Sequence, residues 1–164
     1  MQSGKMLVAD HQGTYMIKLI GDVRLTLCNT IDDYIEQMFS ADNFAGVTID
    51  LAETLGIDST SLGLLAKLAI QAKQRGFDRP TILSPNPDIT RLLQSMGFAK
   101  VFNIYSDEIT NAEDLKELPI RCGSETQVRN KVLEAHKVLM GLNEQNRADF
   151  HDLVCALETP KASQ

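Results

Sequence analysis

The sequence predicts an α/β domain, a small mixed β-sheet with helices packed on it, followed by a C-terminal helical hairpin. Three observations carry this expectation. Residues 5–9 and 14–20 are short strand-like runs on either side of the turn Asp10-His11-Gln12-Gly13, the pattern of an antiparallel hairpin. Short apolar runs at residues 47–51, 81–83 and 101–105 then alternate with helical periodicity, which argues for parallel pairing through right-handed crossovers. After Pro119 only helical patterns remain, so residues 1–118 are expected to form the domain and residues 119–164 an extension.

Each element has its own signal. Gly21-Asp22 is expected to end the second strand, with residues 23–28 as an exposed loop or short extension. Asn29 or Thr30 can cap a helix whose apolar positions are Ile31, Tyr34, Ile35, Met38 and Phe39. Asp32 and Asp33 fall in its expected first turn, where the helix dipole favours acids. Val47-Thr48-Ile49-Asp50-Leu51 reads as a buried central strand, and residues 52–56 as a loop punctuated by Gly56. Asp58-Ser59-Thr60-Ser61 then supplies a run of capping side chains. Leu62, Leu65, Ala66, Ala69 and Ile70 follow on one helical face, with Lys67, Gln71 and Gln74 on the other.

Gly76 stops that helix, and Ser84-Pro85-Asn86-Pro87-Asp88 breaks the chain after the next strand. Residues 89–96 form a short helix with Leu92, Leu93 and Met96 inward and Gly97 as its stop. Residues 107–118 read as helical up to Pro119. Ser124-Glu125-Thr126-Gln127 opens a further helix, with Val128, Val132, Ala135, Leu139 and Leu142 along one face. Residues 141–143 break it, and residues 144–158 carry Phe150, Leu153, Val154 and Leu157. The tail, residues 159–164, is expected to fray.

Composition excludes several classes. A chain of 164 residues with net charge -6 and a pI of about 5.0 is poorly suited to nucleic acid or to an anionic membrane surface. No apolar run approaches a membrane span, and the first residues lack a signal-peptide core, so a cytoplasmic site is expected. Cys28, Cys122 and Cys155 are odd in number and far apart, which supports neither a disulfide framework nor zinc. There is no G-x-G-x-x-G and no P-loop, and Gly56-Ile57-Asp58-Ser59-Thr60 does not fit a nucleophile elbow. The expectation is therefore a protein that is not an enzyme and needs no cofactor. His11, His136 and His151 lack ligand spacing, and the latter two read as helix-surface residues. Asp22, Asp50 and Asp58 could share one end of the sheet around a cation, though the reading favoured is loop acids facing water.

Ser59 is the strongest functional candidate. It stands at a strand-to-helix junction, where a phosphate would meet free backbone N–H groups and the positive end of the helix dipole. Such a phosphate would add up to two negative charges beside Asp58, a change large enough to switch a binding surface. The competing reading is that Asp58 and Ser59 only cap the helix, and spacing alone favours it.

The residues around this junction also resemble a known family. Val47-Thr48-Ile49-Asp50-Leu51 followed by Ile57-Asp58-Ser59-Thr60-Ser61-Leu62-Gly63 is similar to the signature of STAS domains, and more narrowly of bacterial anti-sigma factor antagonists. Gly21-Asp22 matches the family's Gly-Asp/Glu, and Leu92-Leu93-Gln94-Ser95-Met96-Gly97-Phe98 with Val101, Phe102 and Ile104 matches a second feature. The likeness spans about residues 5–118 and departs at Ser61, where the family usually has Gly.

The resemblance implies a SpoIIAA-like STAS fold and a role as an anti-anti-sigma factor in partner switching. Its unphosphorylated form would bind an anti-sigma factor or serine kinase, and a serine phosphatase would restore it after phosphorylation. It implies Ser59 as the phosphorylated serine, with Ser61 competing. Asp22, Asp58, Ser59, Thr60, Ser61 and Leu62 would meet the partner. The helices after Pro119 are similar to the extension of HsbA-type antagonists, whose output is motility and biofilm regulation. The alternative is a STAS-fold module that binds a nucleotide or lipid without a phosphoswitch, which a pocket near Asp22 and Asp58 would favour.

Overall fold

Residues 3–108 and 114–159 are described by the structure, a computed structural model. In chain order the elements are β1 (Lys5–His11), β2 (Thr14–Val23), α1 (Cys28–Ser40), β3 (Gly46–Asp50), β4 (Thr54–Ile57), α2 (Ser59–Gln74), β5 (Thr81–Leu83), α3 (Pro87–Ser95), β6 (Asn103–Tyr105), β7 (Lys116–Glu117), α4 (Glu125–Met140) and α5 (Glu144–Glu158). The sheet order is β6-β5-β3-β2-β1-β7, with β4 beside β2.

The expected hairpin forms, with β1 and β2 antiparallel from Lys5–Ile20 to His11–Thr14. Its two-residue loop has φ of 55° at Gln12 and 93° at Gly13, the pair of positive values that a tight twisted hairpin requires. Gly13 is doubly needed there, since a Cβ would lie 1.8 Å from the carbonyl oxygen of Asn43. The β2–β3, β3–β5 and β5–β6 pairs are parallel, as the strand–helix alternation implied.

Several boundaries differ from the sequence reading. Gly21-Asp22 does not end β2, which bulges there and continues to Val23. Residues 52–56 are not simply a loop, because Thr54–Ile57 forms β4, parallel to the end of β2. Gly21 N–H donates to the Glu53 carbonyl at 2.9 Å, and the Thr54 hydroxyl donates to the Leu19 carbonyl at 2.7 Å. A strand of this length is too short to reveal its period. Residues 23–28 are exposed only in part: Arg24, Leu25 and Thr26 face solvent as expected, while the 3-10 turn at Leu25–Leu27 buries Leu27 and leads into buried Cys28.

Neither Asn29 nor Thr30 caps α1. The helix starts at Cys28 with no side-chain cap, and both residues lie buried inside it. Thr30 instead serves the segment after Pro119, with its hydroxyl donating to the Pro119 carbonyl at 3.3 Å and accepting from Arg121 N–H at 2.9 Å. The earlier start also takes Asp32 and Asp33 out of the first turn.

The helix expected over residues 107–118 is absent at its described end. Lys116–Glu117 is a strand on β1, and Leu118 N–H donates to the Met6 carbonyl at 2.8 Å. Residues 109–113 of that expectation lie outside the described residues. An open edge on β1 offers unpaired backbone groups, and pairing them outweighs a marginal helical pattern. The strand expected over residues 101–105 shrinks to Asn103–Tyr105, because Phe102 N–H is used by the Phe98 carbonyl. Of the tail, Thr159 is the C-cap of α5, and residues 160–164 lie outside the described residues.

Burial on β2 alternates strictly, placing Tyr15, Ile17, Leu19 and Val23 on the covered face. α2 is buried on more than its expected stripe. Leu62, Leu65, Ala66 and Ala69 are buried as expected, Ile70 only partly, and Gly63, Leu64, Leu68 and Ala72 are buried as well. Its second covered side faces α4, whose Ala135 and Leu139 join the same hydrophobic core.

Candidate functional site

β4 delivers the chain to the start of α2. Asp58 N–H donates to the Val23 carbonyl at 3.0 Å, and the Asp58 backbone is extended, as an N-cap must be. Its Oδ1 accepts from Ser61 N–H at 2.8 Å, a bond worth about 1 kcal/mol to the helix. Asp58 is therefore the cap. Ser59 occupies the first helical position, and its hydroxyl takes another course.

Ser59 Oγ lies 2.8 Å from Nε2 of His136 on α4. The other ring nitrogen, Nδ1, is 2.7 Å from the Val132 carbonyl oxygen. A carbonyl can only accept, so Nδ1 carries a hydrogen, and in that tautomer of the neutral ring the Ser59 hydroxyl donates its hydrogen bond to Nε2. Phe150 of α5 meets the ring edge-to-face at 5.0 Å between centroids. His136 is 2% exposed, so its expected place on a helix surface is overturned. The signal was present in the sequence: position 136 follows Val132 by four and precedes Leu139 by three, which sets it on the apolar stripe of α4. His151, by contrast, is exposed beside Asp152.

The other expected site residues divide into half-buried and buried sets. Asp22 Oδ2 accepts from Arg24 Nε at 2.6 Å, and its Oδ1 lies 3.0 Å from where a Cβ on Gly56 would stand. That carboxylate raises the pKa of the Arg24 guanidinium through the hydrogen bond first, and Asp58 adds to it, so the three charges share one end of the sheet. Thr60, Ser61 and Leu62 are buried, and the Ser61 hydroxyl has neither exposed surface nor a hydrogen-bond partner. A kinase cannot reach Ser61 in this state. Asp50 does not face water as expected. It is buried in β3, its Oδ1 accepts from Ala52 N–H, and Lys18 Nζ stands 3.9 Å from its Oδ2. Among the described residues no group of His, Cys, Asp and Glu converges to hold a cation. No helix among them is long and apolar enough to cross a membrane.

α4 is fastened over this junction by charge as well as packing. Asp32 of α1 accepts from Lys67 of α2 at 3.0 Å and from Lys131 of α4 at 2.7 Å, while Lys67 also donates to Glu134 of α4 at 2.6 Å. Burial alone would raise the Asp32 carboxyl, but the hydrogen bonds from Lys131 and Lys67 outweigh it and hold the carboxyl below the usual range. These groups lie in a cleft of about 720 Å³ between α1 and α4, whose lining includes neither Asp22 nor Asp58.

The family model of the STAS domain matches residues 5–110, and no curated protein sequence matches the chain. Among solved structures, the fold is similar to an anti-sigma factor antagonist from Mycobacterium paratuberculosis, with 20% identity, 64% of this chain and 87% of that one covered, and a TM-score of 0.53. It is also similar to the Bacillus cell fate determinant SpoIIAA in its phosphorylated form, with 16% identity, 63% and 92% covered, and a TM-score of 0.52. At these identities the likeness is one of fold.

Proposed function

From a chain that belongs to the STAS domain family, we propose an anti-sigma factor antagonist that is not an enzyme. In this reading it binds an anti-sigma factor or serine kinase when unphosphorylated, and phosphorylation of Ser59 inactivates it until a serine phosphatase reverses the change. The observation that carries the reading is the division of labour at α2. Asp58 does the capping, which leaves the Ser59 hydroxyl free of any backbone duty at a helix N-terminus. Regulation of transcription in a bacterial cytoplasm, with a motility or biofilm output, follows from the same family reading.

The partner surface this implies differs from a contiguous run of residues 58–62. Asp22 and Asp58 stay within a partner's reach, Ser59 stands half-buried beside them with its hydroxyl turned to His136, and Thr60, Ser61 and Leu62 are buried behind. On β4, which pairs with the end of β2 at Asp22, Leu55 is 66% exposed, and Leu25, just after β2, is 39% exposed. Exposed leucines on β4 and just after β2, close in the chain to Asp22, Arg24 and Asp58, suit a protein interface. Leu55→Glu is expected to weaken the partner complex by about 2 kcal/mol, near thirtyfold, with an unchanged thermal midpoint. A normal binding isotherm for Leu55→Glu removes β4 from the interface.

A dianionic phosphate inside that surface loses hydration without a matched cation, which costs several kcal/mol. About 1.4 kcal/mol is tenfold in affinity, so a micromolar complex is abolished. Ser59→Asp is expected to weaken binding to the anti-sigma kinase of the host, and Ser59→Ala to preserve it. Phosphopeptide mapping of the protein isolated from its host tests the reading directly. Phosphate on Ser59 supports it, and its absence under all growth conditions, with equal binding by the two variants, defeats it.

A further inference from the structure

We propose that docking of the α4–α5 hairpin and a phosphate on Ser59 are mutually exclusive, so that the C-terminal extension is a built-in gate on the modification. This rests on Ser59 being the phosphoacceptor. The hydroxyl is already engaged: Ser59 Oγ is 2.8 Å from His136 Nε2, and Nδ1 of the ring is held on the Val132 carbonyl at 2.7 Å. The ring is 2% exposed and closed by Phe150. A phosphoryl group adds a phosphorus and three charged or hydrogen-bonding oxygens to the very atom on which the His136 ring rests.

One helical turn further on, α4 and α2 are in backbone contact. A Cβ on Gly63 would stand 2.3 Å from the Ala135 carbonyl oxygen and 2.6 Å from its Cβ. Another turn on, Lys67 is tied to Glu134, and both Lys67 and Lys131 to Asp32. Ser59, Gly63 and Lys67 recur every four residues, so one face of α2 meets α4 from its first residue. The family match ends at residue 110, so α4 and α5 lie outside it.

Phosphoryl transfer requires this cover to lift. Ser59 Oγ attacks the γ-phosphorus of the kinase-bound nucleoside triphosphate, and an O–P bond forms as the bond to the β–γ bridging oxygen breaks. The serine proton passes to the kinase's base and the nucleoside diphosphate leaves. An oxygen turned into a buried histidine ring is not in line for that attack. By linkage, whatever docking subtracts from phosphorylation, the phosphate subtracts from docking.

The test uses the full chain carrying Ser59→Cys, Cys122→Ser and Cys155→Ser. Cys28 is silent in it, since burial shields the thiol and pushes its pKa up. A water-soluble maleimide then reads how often position 59 is uncovered. Adding Gly63→Ala is expected to raise the labelling rate about tenfold or more. His136 stays in place in that chain, and parting from it would slow a thiol, so an increase reports access. Lys131→Ala with Glu134→Ala, which cuts ion pairs without inserting bulk, raises the rate in the same direction and serves should Gly63→Ala fail to fold. Equal labelling in all these chains overturns the gate. Phosphopeptide mapping of wild type, Gly63→Ala and His136→Ala from their host separates the two readings. Faster labelling with no phosphate on Ser59 in any chain keeps α4 as a cover over position 59 but removes the phosphoswitch, and the gate on it falls too. Phosphate on Ser59 that rises in both variants supports both, and occupancy that falls in His136→Ala overturns the gate, because the ring would then be assisting transfer.

Discussion

Gly63→Ala is expected to destabilise the chain by about 2 kcal/mol, against the usual sign of that substitution. Within a helix, replacing Gly by Ala stabilises by roughly 0.5–1 kcal/mol, because Ala loses less backbone freedom on folding. Gly63 is interior to α2, so helix propensity alone predicts a gain. The contact with α4 reverses it. A Cβ 2.3 Å from a backbone oxygen cannot be relieved by a side-chain rotation, and the helices must part by about 1 Å to restore ordinary contact. Such overpacking costs about 1–3 kcal/mol. For a domain of this size, the thermal midpoint should fall by roughly 4–8 °C. Calorimetry reads the sign at once. An Ala variant as stable as wild type would mean that α4 does not press on α2 in solution, and the gate would fall with it.

Asp32→Ala is expected to cost about 3 kcal/mol, far more than any exposed ion pair of the chain. The Asp32 side chain is 6% exposed and bridges lysines from two other helices, which its removal leaves facing each other while only 16% and 20% exposed. The Arg91–Asp88 pair is the contrast. Its side chains are 77% and 83% exposed, and cutting it should change stability by less than about 0.5 kcal/mol. The sign with pH follows from the shifts. Asp32 is held below its ordinary 3.8, so its contribution is present above that value and is lost as pH falls through the lowered one. Lys67 and Lys131 are raised above 10.5, so theirs is present below that value and fades only as pH climbs past it. Acid should therefore loosen α4 before it unfolds the sheet. Hydrogen exchange of the α4 amides at falling pH, in wild type and Asp32→Asn, checks this, and identical profiles for the two chains would remove Asp32 from the tether.

Much of this arrangement was legible beforehand for a local reason. The hairpin, the parallel strands and the helices announce themselves through periods of two and of three to four, set by neighbouring residues. Asp58-Ser59 at a strand-to-helix junction was legible in the same way, as was the capping box of Ser124 and Gln127 that opens α4. What failed was decided at a distance. β4 exists because β2 had a free stretch to pair with, and β7 because β1 had an open edge. Thr30 looked like a cap and became the anchor of the segment after Pro119.

By itself the sequence determined the fold class, the order of its main elements, and the place of Ser59 at the head of α2. Those depend on propensity, capping and hydrophobic period, which are properties of short stretches. Only the tertiary structure decided that His136 holds the Ser59 hydroxyl, that Ser61 is sealed off, and that Asp32 binds three helices together. A contact between residues 77 positions apart leaves no mark on either local pattern. It exists because α4 has an apolar stripe to bury, and a Gly on α2 lets that stripe come close.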